Sequence, residues 1–255
     1  MKDVQRENDD RCIPIDKVGV RNLSYPILLR DKAHEFQHTI ARVNMYVNLP
    51  HNFRGTHMSR FVEILNEYRG EIAIQNIGKI LHRMKELFDA ESAHIELFFP
   101  YFIEKQAPAS NLKSLMGYNC GIIGKFKDRI KLYLWVEVPV NTVCPCSKEI
   151  SEKGAHNQRT YIRVKVHFRG LLWIEDLIKM VEDCASAPVY ALLKREDEKY
   201  VTELAYEHPS FVEDVARNVA VKLNNDGRVL GYEIEVESLE SIHNHNAYAY
   251  IKREG

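Results

Sequence analysis

Between Arg159 and Phe168 the chain alternates without a break. Thr160, Ile162, Val164, Val166 and Phe168 fall on one side; Arg159, Tyr161, Arg163, Lys165 and His167 fall on the other. Successive side chains of a strand point to opposite faces, so this segment is a half-buried strand. Residues 39–49 carry the same signature, with Ala41, Val43, Met45, Val47 and Leu49 set against Arg42, Asn44, Tyr46 and Asn48. Further strands are predicted over about 18–29, 92–102 (ending near Pro100), 113–126, 131–142, 229–238 and 246–253. The pattern switches to helical spacing after NFRGT, where Thr56 can cap a helix carrying Met58, Phe61, Leu65 and Tyr68. A second helix is predicted over about 72–89, with others over 172–184 and 209–224 and a short one near 188–194.

The order reads strand, strand, helix, helix, strand, strand, and repeats from about residue 130 without sequence identity between the halves. An α+β fold with two antiparallel sheets, each carrying helices on one face, is the simplest packing. No Ser/Gly/Pro-rich linker divides the halves. Residues 15–255 therefore read as a single bimodular domain, with modules about 15–128 and 129–255, behind a disordered segment 1–14.

The chain has 255 residues and a formal net charge of −1, so no overall basic field draws it onto nucleic acid or an anionic membrane. No apolar run approaches the roughly 20 residues that span a bilayer. The opening MKDVQRENDDRC reads as neither a signal nor a transit peptide, and the expected location is cytoplasmic with reduced thiols. GYNCGIIGKF resembles a P-loop but fails it at Asn119 and Phe126. No G-x-G-x-x-G, HExxH, G-x-S-x-G or paired C-x-x-C framework occurs.

The densest chemical signal is VCPCSKEISEKGAHNQR, residues 143–159. Pro145 is expected to hold the C-P-C backbone extended, with Cys144 and Cys146 facing the same way and Ser147 capping the next turn. His156 follows Cys144 by twelve residues, at the mouth of the 158–168 strand. A loop that returns a thiolate and an imidazole to one place is a metal-site candidate lacking a third donor. Small core cysteines and a satisfied loop histidine fit the same spacing. Near the C-terminus, Glu240 precedes His243 and His245, which face one side of an extended chain. That set can bind metal, serve as acid and base, or form a polar turn. Glu196, Asp197, Glu198, Glu203, Glu213 and Asp214 make an acidic group, most of it read as solvated. Arg54, Ser59 and Arg60 flank a helix N-terminus and can hold phosphate, or be an ordinary cap with surface arginines.

Taken together, CPCSKEISEKGAHNQR, RGTHMSRF, DEKYVTE, FVEDVAR and ESLESIHNHNAYA resemble the prokaryotic GTP cyclohydrolases of type IB, over nearly the whole chain from about Val18 to Tyr250. The resemblance implies a tunnelling fold of two ββααββ modules. It also implies a homo-oligomer, expected as a tetramer with sites at subunit interfaces. The implied reaction converts GTP and water to 7,8-dihydroneopterin triphosphate and formate, the entry to tetrahydrofolate. By the same resemblance Cys144 is an essential catalytic cysteine and a metal ligand. His156 and Glu198 are the other protein ligands, Glu213 anchors the guanine edge, and Glu240, His243 and His245 line the site as catalytic groups. The metal is a divalent ion, with zinc, manganese and iron(II) all compatible with one thiolate, one imidazole and one carboxylate. Two rivals remain at this point. One is a nitrile reductase on the same fold, with a covalent thioimide and NADPH. The other is a non-catalytic nucleotide-binding or assembly module closed around a structural zinc by Cys144, Cys146, His156 and one of His243 or His245.

Overall fold

The fold is described from a computed structural model, covering residue 5, residues 7–70 and residues 72–255. Its strands are β1 (Ile15–Asp31), β2 (Glu35–Leu49), β3 (Ala93–Gln106), β4 (Lys113–Phe126), β5 (Ile130–Val143), β6 (Asn157–Phe168), the two-residue β7 (Ala187–Pro188), β8 (Val229–Ser238) and β9 (Ala247–Arg253). The helices are α1 (Ser59–Glu67), α2 (Ile77–Phe88), α3 (Pro145–Ile150), α4 (Ile174–Glu182), α5 (Arg195–Glu207) and α6 (Val212–Asn224). Strands neighbour one another in the order β1-β2-β3-β4-β5-β6-β8-β9, with β7 set against β5. This is the expected α+β architecture with antiparallel pairing.

By its internal contacts the chain forms two compact units, residues 1–100 with 121–133 and residues 101–120 with 134–255. In the first unit β1 pairs with β2, and β2 pairs with β3 from Arg42 opposite Phe98 to Val47 opposite Ala93. The apolar face of β2 meets α1 and α2 in a core of Val43, Met45, Phe61, Ile80, Leu81 and Met84, all fully buried. Burying each such side chain contributes roughly 1.5–3 kcal/mol, and Phe61 and Phe88 stack with ring centroids 4.2 Å apart. Pro100 does not end β3, which runs on to Gln106. Proline lacks only the donor; its carbonyl still accepts from Thr39 Oγ1 at 2.9 Å. Nor does Thr56 cap α1, which begins after Met58 without a side-chain cap. Residues 1–4 and 6 of the segment expected to be disordered lie outside the described residues. Beyond them Asn8 bridges Phe53, and Arg54 pairs with Glu7 at 2.7 Å.

In the second unit β6 pairs with β8 and β8 with β9. Ile162, Val164 and Val166 of β6, with Ile234 and Val236 of β8, are fully buried, as the alternation requires. The sheet face is covered by α6 through Val215, Val219 and Leu223. No helix forms at 188–194; the helix of that region is α5, at Arg195–Glu207. It starts where Asp197 accepts from the Lys194 N–H at 2.9 Å. A short helix α3 also stands in the C-P-C segment.

Candidate functional site

Val143 ends β5 under a small apolar cluster with Ala187 and Ala205, against which Ala155, Val201 and Leu204 pack. Its N–H donates to Ser186 Oγ at 3.1 Å, and its carbonyl accepts from Ser210 N–H at 3.0 Å. This fixes where Cys144 leaves the strand. Pro145 does not extend the chain through Cys146. It occupies the first position of α3, where its fixed φ suits a helix and its missing N–H costs nothing. Cys144 is therefore the cap: its Sγ accepts from Ser147 N–H at 3.4 Å. Cys146 lies in the first turn of α3 and is exposed. Ser147 does not cap that turn; its hydroxyl instead accepts from His156 N–H at 3.2 Å.

The loop after α3 turns back through Gly154, at φ +148°, and joins Cys144 N–H to the His156 carbonyl at 3.1 Å. The twelve-residue separation in sequence thus closes into adjacent backbone. His156 is half-buried. Its Nδ1 lies 3.0 Å from Gln158 Oε1, 3.3 Å from Ser241 Oγ and 4.0 Å from Glu240 Oε2. The Glu240 side chain is 12% exposed, and its Oε2 is buried with no hydrogen-bond partner. Nδ1 is thus surrounded by oxygen, which leaves Nε2 as the ring nitrogen for a ligand.

His243 and His245 follow in an exposed bend rather than in a strand. Their rings nevertheless stack, with centroids 5.2 Å apart and planes at 18°. Asn246 closes the bend by donating to Glu237 Oε1 at 3.0 Å. That bond, followed by one from Arg163, holds the Glu237 carboxyl below its ordinary range. Glu198 and Glu213 are both exposed, in the first turns of α5 and α6. Of the acidic group only Asp197 is fully buried. It accepts from Ser110 Oγ and from the N–H groups of Ala109, Ser110 and Lys194, so it braces the fold. In the first unit Ser59 opens α1 and is exposed, Arg54 holds Glu7, and Arg60 Nη1 donates to the Leu87 carbonyl at 3.2 Å.

Cys144 thus meets His156 through the backbone and the His156 ring meets Glu240, with the His243–His245 bend following Glu240 along the chain. Among the described residues of the single chain no three His, Cys, Asp or Glu side chains are grouped closely enough to hold a metal ion. Sequence reasoning missed Gln158, Ser241 and Ser147 as partners of His156. It also missed the buried hydroxyls of Thr142, Thr160 and Ser238 behind Gln158. The available signal was a Thr and a Ser on otherwise apolar faces of β6 and β8.

The chain has the fold of solved urate oxidases: uricase from Arthrobacter globiformis superposes with a TM-score of 0.53 at 8% identity, covering 94% of each chain. A hyperthermostable urate oxidase from Bacillus sp. TB-90 gives 0.52 at 9% identity, over 94% of this chain and 98% of that one. These are tunnelling-fold proteins, so the fold expectation is met. In sequence, the chain is 56% identical to GTP cyclohydrolase FolE2 of Syntrophus aciditrophicus over the full length of both. It is also 56% identical to that of Syntrophotalea carbinolica, over 99% of this chain and 95% of the relative. The family model for type I GTP cyclohydrolase folE2 matches residues 1–249, and the chain belongs to that family.

Proposed function

We propose that this protein is a GTP cyclohydrolase that converts GTP and water to 7,8-dihydroneopterin triphosphate and formate, opening the route to tetrahydrofolate. Within the chain, the observation that carries this reading is the closure of Cys144 onto His156 beside a buried, unpartnered carboxylate oxygen of Glu240. The donor chemistry fits a divalent ion. Cys144 and His156 would hold it, with Glu198 as the third donor, and zinc, manganese and iron(II) all suit that set. When bound, such an ion supplies hydroxide near neutral pH by acidifying water.

The protein's own groups do the rest. Glu213 accepts two hydrogen bonds from the guanine N1–H and amino group, a charge-assisted pair that adenine cannot offer. Glu240, His243 and His245 hold and deliver the protons that imidazole ring opening and formate release require. Arg54, Ser59 and Arg60 take the triphosphate. The active form is a homo-oligomer, which we read as a tetramer with sites at subunit interfaces. Supporting this, β1 and β9 end the strand path, and a 17-residue edge such as β1 calls for covering. No helix among the described residues is long and apolar enough to cross a membrane, and we place the enzyme in the cytoplasm.

Incubating metal-loaded protein with GTP, without NADPH, should release formate and a pterin that fluoresces after oxidation. Neither product appearing would overturn the reading. Cys144→Ala should fold with an unchanged melting temperature and yield no product. Unfolding of that variant would instead favour a closed structural zinc site.

A further inference from the structure

Behind His156 lies a chain of hydrogen bonds that no catalytic role accounts for. Thr142, Thr160 and Ser238 are all buried, at 1%, 0% and 1% exposure, on otherwise apolar strand faces. Their hydroxyls form a triangle: Thr142 to Thr160 at 2.7 Å, Thr160 to Ser238 at 2.9 Å and Thr142 to Ser238 at 3.4 Å. The register that pairs Thr160 with Ser238 across β6 and β8 sets two corners, and Thr142 near the end of β5 supplies the third. Burying hydroxyls costs free energy unless they are satisfied. Three hydroxyls carry three protons, and the triangle uses all three when each donates to the next. Thr142 Oγ1 then has only a lone pair to offer outward, and Gln158 Nε2 donates to it at 3.3 Å.

That direction propagates. With its amide nitrogen turned to Thr142, Gln158 presents Oε1 to His156 Nδ1, 3.0 Å away. A carbonyl oxygen cannot donate, so the ring must carry its proton on Nδ1. The Glu240 carboxylate at 4.0 Å favours the same tautomer, and Ser241 Oγ at 3.3 Å can serve as a second acceptor.

We infer that Gln158 is a positioning residue. Braced by Thr142, Thr160 and Ser238, it locks His156 in the Nδ1–H tautomer and so aims a free Nε2 lone pair outward. The importance of that lone pair rests on the proposed reading of His156 as a metal ligand; the tautomer does not. Partners of this kind fix ring orientation and raise ligand basicity, and losing one typically lowers metal affinity about 10- to 100-fold.

The test uses the full-length chain, stripped by chelation, with histidine labelled in nitrogen-15. Long-range proton–nitrogen spectra should show His156 protonated on Nδ1 and bare on Nε2 in the metal-free protein. Gln158→Leu should shift the ring toward the Nε2–H form and weaken Zn²⁺ binding, by titration of the ion alone, about 10- to 100-fold. Thr142→Val, which keeps the glutamine but frees its amide, should shift both readouts the same way by less, and it serves if the leucine variant fails to fold. A merely structural role would change melting temperature and leave the tautomer alone. Wild-type His156 in the Nε2–H form, or variants with tautomer and affinity unchanged, would overturn the inference. Wild-type protein with Nδ1–H intact but no affinity for Zn²⁺ would uphold the bracing and refute the metal reading instead.

Discussion

Glu182, at the end of α4, holds a buried ion pair in the second unit whose removal should be costly. Its carboxylate accepts from Lys105 Nζ of β3 and from Tyr118 OH of β4, each at 2.7 Å. The lysine and glutamate side chains are only 12% and 11% exposed. Lys105 also donates to the Val189 carbonyl at 2.7 Å and stands 4.4 Å over the Tyr190 ring. Glu182→Leu would leave a buried ammonium without its hydrogen-bonded carboxylate, a loss of about 3–5 kcal/mol. At about 2–4 °C per kcal/mol for a chain of this size, the melting temperature should fall by roughly 6–20 °C. Adding Lys105→Met should recover most of that, because an apolar replacement of a whole buried pair is often neutral. Burial already depresses the Lys105 pKa, and Glu182 opposes that effect. Without Glu182 the folded state binds fewer protons at Lys105 than the unfolded state does. The single variant's stability should therefore climb as pH rises from 7 toward the free lysine value of about 10.4, by up to about 1.4 kcal/mol per unit. Calorimetric melting at fixed protein concentration reads all three effects. A single variant melting within about 2 °C of the parent, or a double variant no better than the single, would refute the reasoning.

Other substitutions probe separate parts of the molecule. A Cβ on Gly124 would stand 2.6 Å from Ile77 Cγ2 and 3.0 Å from Leu81 Cδ1. Gly124→Ala should therefore destabilise by about 1–3 kcal/mol in urea unfolding, and an unchanged midpoint would contradict the close approach of α2. Burial pushes the Asp197 carboxyl up, but its bonds from Ser110, Lys194 and Ala109 outweigh that and hold it well below the usual range. Its folded pKa lies below its unfolded one, so its contribution is present above about pH 4 and lost as pH falls further. Asp197→Asn should flatten the acid side of a melting-temperature profile, and an unaltered profile would count against the network. Glu213→Ala should weaken GTP binding by about 1.5–3 kcal/mol, or about 10- to 150-fold, measured by isothermal titration; unchanged affinity would refute guanine anchoring.

How much of this was legible in the sequence depended on whether a residue's role is periodic or tertiary. Strand β4 falls on its predicted bounds of 113–126, and β8 on 229–238, because a face buried every second residue writes itself into composition. Helix α5 carries no comparable stripe: only Asp197 and Ala205 of its 13 residues are buried, so no apolar period announces it. Pro145 was misread because proline both extends a chain and opens a helix, and the choice lay with the contacts of Val143 and Ser147.

The site divides along the same line. Cys144 and His156 could be paired from sequence because one loop returns the chain, and a short loop constrains its own ends. The bracing of His156 could not, since Gln158 faces Thr142 only once β5 and β6 lie side by side. A hydroxyl on a buried strand face is the trace such a network leaves. In an ordinary core, apolar side chains at positions 160 and 238 would leave no buried hydroxyl to satisfy. The fully buried hydroxyls of Thr160 and Ser238, turned toward one another and toward the glutamine beside His156, instead tie the second unit's core to the orientation of one imidazole. On this argument, the polarity of that core serves the site it supports.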